Sequence, residues 1–108
     1  MTPAPSKDAR RSSRIAVSKG IWVSWRVEGP SSVSRVRDLS LGGVFILTTA
    51  QVPVGTVLHM LFALPEGEMR LQGVVRYAEA DKGVGVEFTR VDTAEGARLR
   101  ELLRRISR

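Results

Sequence analysis

Hydrophobic residues return at every second position over most of this chain and change to a helical spacing only near its end. Ile15, Val17, Ile21, Val23, Trp25 and Val27 share one parity, the signature of a strand with one buried face, and Ser18-Lys19-Gly20 predicts a break or bulge within it. Glu28-Gly29-Pro30-Ser31 has turn chemistry, and a second strand is expected from Ser32 to Arg37. Asp38 to Gly43 reads as the connection into Val44-Phe45-Ile46-Leu47, a short, continuously apolar strand. After Pro53-Val54-Gly55, the positions Thr56, Leu58, Met60, Phe62 and Leu64 alternate with residues that are also mostly apolar. That pattern predicts a central strand buried on much of both sides. Pro65-Glu66-Gly67 closes a hairpin to Met69, Leu71, Val75 and Tyr77, with Arg70, Gln72 and Arg76 pointing the other way. Asp81-Lys82-Gly83 turns again into a strand with Val84, Val86 and Phe88 inward. Finally, Asp92 offers an N-cap with Glu95 three residues on, and Leu99, Leu102, Leu103 and Ile106 form an apolar stripe, predicting a helix over Thr93–Ile106. Short, evenly spaced strands joined by hairpin turns make a mainly β fold, an antiparallel barrel or sandwich, with a C-terminal α-helix.

At 108 residues, 43% of them hydrophobic, the chain suits one packed domain with a single modest core. The expected division is a flexible, basic leader over residues 1–9, containing Pro3 and Pro5, and one domain over residues 10–108. No cysteine is present, which excludes disulfides, thiolate chemistry and Cys-type zinc sites. The first residues lack the apolar core of a signal peptide and no run reaches transmembrane length, so a cytoplasmic protein without membrane insertion is expected. The net charge of +6 is concentrated in the leader and in the last helix. It favours anionic partners without choosing among nucleotide, nucleic acid, acidic protein and membrane surface.

Two segments narrow that choice. Arg10 and Arg14 stand four apart in the basic leader, and Asp38-Leu39-Ser40-Leu41-Gly42-Gly43 supplies a carboxylate, a hydroxyl and paired glycines after a strand. Arginine's planar fork pairs bidentately with phosphate oxygens and with the O6/N7 edge of guanine, and a carboxylate can accept from guanine N1 and N2. The order and separation of these RxxxR and DxSxxG patterns, in a β-rich chain, resemble the PilZ domain, the bacterial receptor domain for cyclic di-GMP. The resemblance runs from Arg10 to the C-terminal helix. It implies a six-stranded antiparallel β-barrel, with cyclic di-GMP as ligand and no further cofactor. It also implies a binding site made of Arg10, Arg14, Asp38, Ser40 and Gly43, and a separate effector protein that receives the signal.

Each candidate has a plainer reading. Arg10 and Arg14 alone are a solvated tail, and Arg11 adds charge, stacking on a purine face, or nothing. Asp38 and Ser40 both suit turn capping, a role compatible with ligand binding. Gly42 and Gly43 suit a positive φ or a close approach of the ligand. Of Arg35, Arg37, Arg70 and Arg76, expected on the outer face, Arg37 is the first choice to complete the pocket because it adjoins the motif. His59 stands without a second ligand and reads as structural, so no metal site is expected. Trp25 is assigned to the core, Trp22 to the surface or to a partner contact. No nucleophile has a base and an orienting group at hand, and no carboxylate pair stands out, so an enzyme is not expected. Two other functions are a PilZ-like protein adaptor without a nucleotide and a small basic nucleic-acid-binding protein. The second rests on charge alone, and aromatics at only 6% of residues argue against it.

Overall fold

The computed structural model describes residues 15–17, 20–65 and 67–106. Arg10, Arg11 and Arg14 lie outside the described residues. The elements run Ile15–Ala16 (β1), Trp22–Arg26 (β2), Ser32–Leu39 (β3), Gly43–Leu47 (β4), Val57–Leu64 (β5), Gly67–Glu79 (β6), Gly83–Arg90 (β7) and Thr93–Ile106 (α1). Six strands close into an antiparallel barrel in the order β3-β2-β5-β6-β7-β4 and back to β3, with β1 added on β3. Closure leaves each strand of the ring hydrogen-bonded on both sides, which removes the sheet edges that would otherwise template aggregation. β1 and β2 follow the same side of β3: Trp22 to Trp25 pair with Arg35 to Ser32, and Ile15 and Ala16 with Leu39 and Asp38. The expected break in the first strand therefore falls between β1 and β2.

Inward-facing positions form one core, in which Val23, Leu58, Phe62, Met69 and Val75 are fully buried. α1 adds Leu99, Leu102 and Leu103 to the same cluster. Its N-terminus is capped as expected, Asp92 Oδ1 accepting from the Glu95 amide at 2.8 Å, a contact that typically contributes about 1 kcal/mol. The basic last turn, Arg104 and Arg105, faces the negative pole of the helix dipole. Trp25 is in the core, as expected, and its indole Nε1 donates to Ser34 Oγ at 2.9 Å. Trp25→Phe removes this donor, strands a buried hydroxyl and leaves a small void. It is expected to cost about 1–3 kcal/mol, read as a lower midpoint in urea unfolding with an unchanged slope.

Several positions depart from the sequence expectation. β5 is buried on one side only: Val57, His59 and Ala63 are exposed and Leu61 half-buried, because no second layer covers this outer wall of the barrel. His59 is thus an exposed wall residue rather than a packed one. Val27 lies past the end of β2 and is exposed. β3 continues through Leu39 and β4 begins at Gly43, so the turn within the DxSxxG segment shrinks to Ser40-Leu41-Gly42 and Asp38 belongs to a strand. Tyr77 points outward, away from Val75, for a reason that also shapes the site.

Candidate functional site

Two bulges place the polar groups. On β3, Val36 pairs with Ile46 but Asp38 pairs with Phe45, so Arg37 is an extra residue. Successive residues of a regular strand face opposite sides, and the insertion lets Arg37 and Asp38 both stand on the outer wall. On β6, Val75 pairs with Val86 and Tyr77 with Gly85, making Arg76 the extra residue and turning Tyr77 out. Arg37 then reaches across the wall. Its Nε donates to Asp38 Oδ2 at 2.9 Å and its Nη1 to Glu79 Oε1 at 3.4 Å. The hydrogen bond to Asp38 is the largest cause holding the Arg37 pKa above its ordinary value; burial opposes it, and the charges of Asp38 and Glu79 add to the rise. The guanidinium is a permanent cation here.

The same guanidinium lies 3.7 Å from the centroid of the Phe45 ring, a cation–π contact. Phe45 faces away from the core cluster and is nonetheless fully buried, under Arg37 and beside Tyr77, whose ring centroid is 5.9 Å away at a 38° tilt. Glycines on β7 make room for both rings. A Cβ on Gly83 would come within 2.7 Å of Phe45 Cε1, and one on Gly85 within 2.1 Å of Tyr77 Cε1. Outside the core the barrel therefore carries a firm aromatic pad, capped by a cation and bordered by Asp38 and Glu79.

Beside it, the Ser40 hydroxyl accepts from the amides of Gly42 and Gly43, both at 3.1 Å, while the Ser40 amide donates to the Gly43 carbonyl at 2.9 Å. Ser40 is 5% exposed and Asp38 9%. The turn-capping reading of Ser40 is realised, and the hydroxyl fixes the turn that ends at Gly43. Gly43 does not take a positive φ. Its Cβ would sit 2.3 Å from the Val86 carbonyl oxygen, so it is glycine because β7 comes close and not for its φ. Ser40→Ala leaves two amides in the turn without their acceptor. The expected loss is about 1–3 kcal/mol, seen as a fall in melting temperature of about 4–8 °C for each kcal/mol.

Of the expected site residues, the fold brings together Arg37, Asp38, Ser40 and Gly43. Arg35, Arg70 and Arg76 are on the outer face as expected, and Arg76 is paired with Glu87. β1 pairs Ile15 with Leu39, so the residue that directly follows Arg14 lies alongside the residue that directly precedes Ser40. Sequence reasoning missed Phe45, Tyr77 and Glu79. The available signal was Gly83-Val84-Gly85, two small residues on one parity of a strand, which marks a face where rings from neighbouring strands lie flat. Among the described residues no group of His, Cys, Asp and Glu is placed to hold a metal ion, and no helix is long and apolar enough to cross a membrane.

The fold is a small closed antiparallel barrel with a C-terminal helix, and it carries a polar cluster on its outer wall beside a DxSxxG turn. The chain belongs to the PilZ domain family, whose sequence profile matches residues 8–105. The PilZ domain of YcgR from Escherichia coli, solved with c-di-GMP, superposes with a TM-score of 0.78 at 15% identity, over 92% of this chain and 92% of that one. The PilZ domain of CeSA from a cellulose-synthesizing bacterium gives 0.70 at 19% identity, over 90% of this chain and 100% of that one. The Bacillus subtilis inhibitor of motility, MotI or DgrA, gives 0.70 at 18% identity over 90% of this chain. This chain spans 50% of the MotI chain. At these identities the likeness is one of fold. No curated protein sequence matches the chain.

Proposed function

We propose that this chain is a cyclic di-GMP receptor in which the nucleotide bridges the Arg10–Arg14 segment to the Asp38–Gly43 motif. The observation that supports this most is the β1–β3 pairing, which brings the chain at Ile15 beside Leu39, between the two motif segments. In this reading Arg10 and Arg14 grip phosphate and the guanine O6/N7 edge, and Asp38 accepts from guanine N1 and N2. A carboxylate offers about four acceptor positions, so Asp38 serves Arg37 and a guanine together. Arg37, backed by Phe45 and with its side chain 42% exposed, offers its outer face for stacking a purine. Arg11 contributes charge at the rim. Ser40 and Gly43 hold the turn in shape and, with it, the backbone amides nearest the ligand.

Ordering the five residues from Arg10 to Arg14 costs roughly 5–10 kcal/mol at about 1–2 per residue. Four charge-assisted hydrogen bonds at about 1.5–3 kcal/mol each return roughly 6–12. These nearly cancel, so burial and stacking of the bases supply the net affinity and the arm is ordered only when ligand is present. The new surface so created is the signal, read by an effector protein, and no chemical step is involved. Isothermal titration calorimetry of cyclic di-GMP against a GMP control tests the reading. Saturable binding of cyclic di-GMP alone is expected. Absence of heat, with no rise in melting temperature at excess ligand, would overturn it.

A further inference from the structure

The outer wall of β3, β2, β5 and β6 carries a second surface, whose side chains the strand registers set in rows. Trp22 is the direct partner of Arg35 on β3. Ser24 lies between Val33 and Leu61, and Leu61 pairs in turn with Arg70. Arg26 meets His59, and beyond Gln72 the row ends at Arg90. Trp22 is 51% exposed and Val33 64%, large apolar groups left on the solvent side of a well-packed sheet. The Arg35 guanidinium lies 5.8 Å from the Trp22 ring centroid, which fixes the indole at the surface. Next to it an open groove of about 410 Å³ is lined by Ser24, Arg26, His59, Leu61, Arg70 and Arg90. Against four arginines, the one carboxylate on these rows among the described residues is Glu68, 3.5 Å from Arg70.

We propose that this wall is a docking surface for an acidic amphipathic helix of a partner protein, its apolar stripe on Trp22 and Leu61 and its carboxylates on Arg26, Arg35, Arg70 and Arg90. Strand addition is closed to a partner, because β2 and β5 are each paired on both sides. A partner must therefore lie on the side chains. Residues two apart on a strand are about 6.6 Å apart, near the 5–6 Å between helix positions i and i+4. A helix about 10–12 Å across covers two to three strands spaced about 4.8 Å apart. Tryptophan and arginine are also the residues that dominate binding energy where they cluster at interfaces. Single-stranded nucleic acid would need a run of stacking rings for successive bases, and next to this groove Trp22 stands among arginines with only the His59 imidazole as a second ring on the rows named above, among the described residues. The inference does not depend on nucleotide binding. It does place the wall beside that site, since Arg35 is two residues from Arg37 on β3.

The two tryptophans supply a reporter and an internal control. In nitrogen-15 NMR spectra of the full chain, the Trp22 indole senses the wall, while the Trp25 indole is buried on Ser34. The probe is a helical peptide with leucine on one face and glutamate flanking it. Its lysine-for-glutamate counterpart and a thymidine oligonucleotide are the comparisons. Saturable shift of the Trp22 indole, with Trp25 unmoved, is expected for the glutamate peptide. Arg26→Glu combined with Arg70→Glu should weaken it at least about tenfold, as should Trp22→Ala alone. All three substitutions are at exposed positions, and unchanged melting temperatures would show that folding is intact. No saturable shift, equal shifts with the lysine peptide, or tighter binding of the oligonucleotide would overturn the proposal.

Discussion

Replacing Arg10 and Arg14 together with alanine is expected to abolish measurable cyclic di-GMP binding while leaving the melting temperature of the barrel unchanged. Each guanidinium is assigned one or two charge-assisted hydrogen bonds to the ligand, about 1.5–3 kcal/mol each. Their joint loss is at least about 3–6 kcal/mol, two to four orders of magnitude in affinity. With both guanidinium groups gone nothing meets the cost of ordering the arm, so the base burial and stacking that the ordered arm completes is lost as well. Stability should not follow, since the core is built from β2 to β7 and α1. Calorimetry on the double variant, with a thermal melt alongside, separates the two. A variant that binds like the parent protein would remove the arm from the site.

The second large effect is expected at Asp38. Asp38→Ala deletes the acceptor assigned to guanine N1 and N2, two hydrogen bonds together worth about 3–6 kcal/mol, or roughly two to four orders of magnitude in affinity. It also releases Arg37 Nε, leaving that guanidinium on Glu79 and on the Phe45 ring. The stability cost of losing this partly exposed ion pair is about 1 kcal/mol or less. Asp38→Asn keeps one acceptor oxygen and is expected to fall between the two. Titrations of both variants, read against their melts, test the assignment. Full affinity in Asp38→Ala would place the guanine edge elsewhere.

Much of the fold was legible in the sequence because one face of each strand is buried and writes a period of two. The helix was legible from its Asp92 cap and its leucine stripe, which the structure places over Thr93–Ile106. What escaped was decided by pairing between distant strands. A bulge adds one residue and reverses parity beyond it, so Tyr77 read as core and Asp38 as loop until the registers with Gly85 and Phe45 were known. The odd positions of β5 misled in another way. They are apolar enough to suggest a covered sheet, yet local composition carries no record of whether a second layer lies over a given wall.

The candidate site divides along the same line. Asp38, Ser40 and Gly43 were legible as a spaced motif, although Gly43 answers to the Val86 carbonyl and not to a turn with positive φ. Arg37 was legible by adjacency. The Phe45–Tyr77 pad beneath it was not, because Phe45 sits in an unbroken apolar run and owes its burial to Arg37 and Tyr77, residues brought to it by two bulges.

The most direct test of the bridge is amide hydrogen exchange followed by mass spectrometry, with and without saturating cyclic di-GMP. Peptides covering residues 8–14 and residues 36–44 are both expected to gain protection, together and at the same ligand concentration. Protection of residues 36–44 with none in residues 8–14, or protection confined to the β2–β5 wall, would contradict a nucleotide held between the arm and the motif.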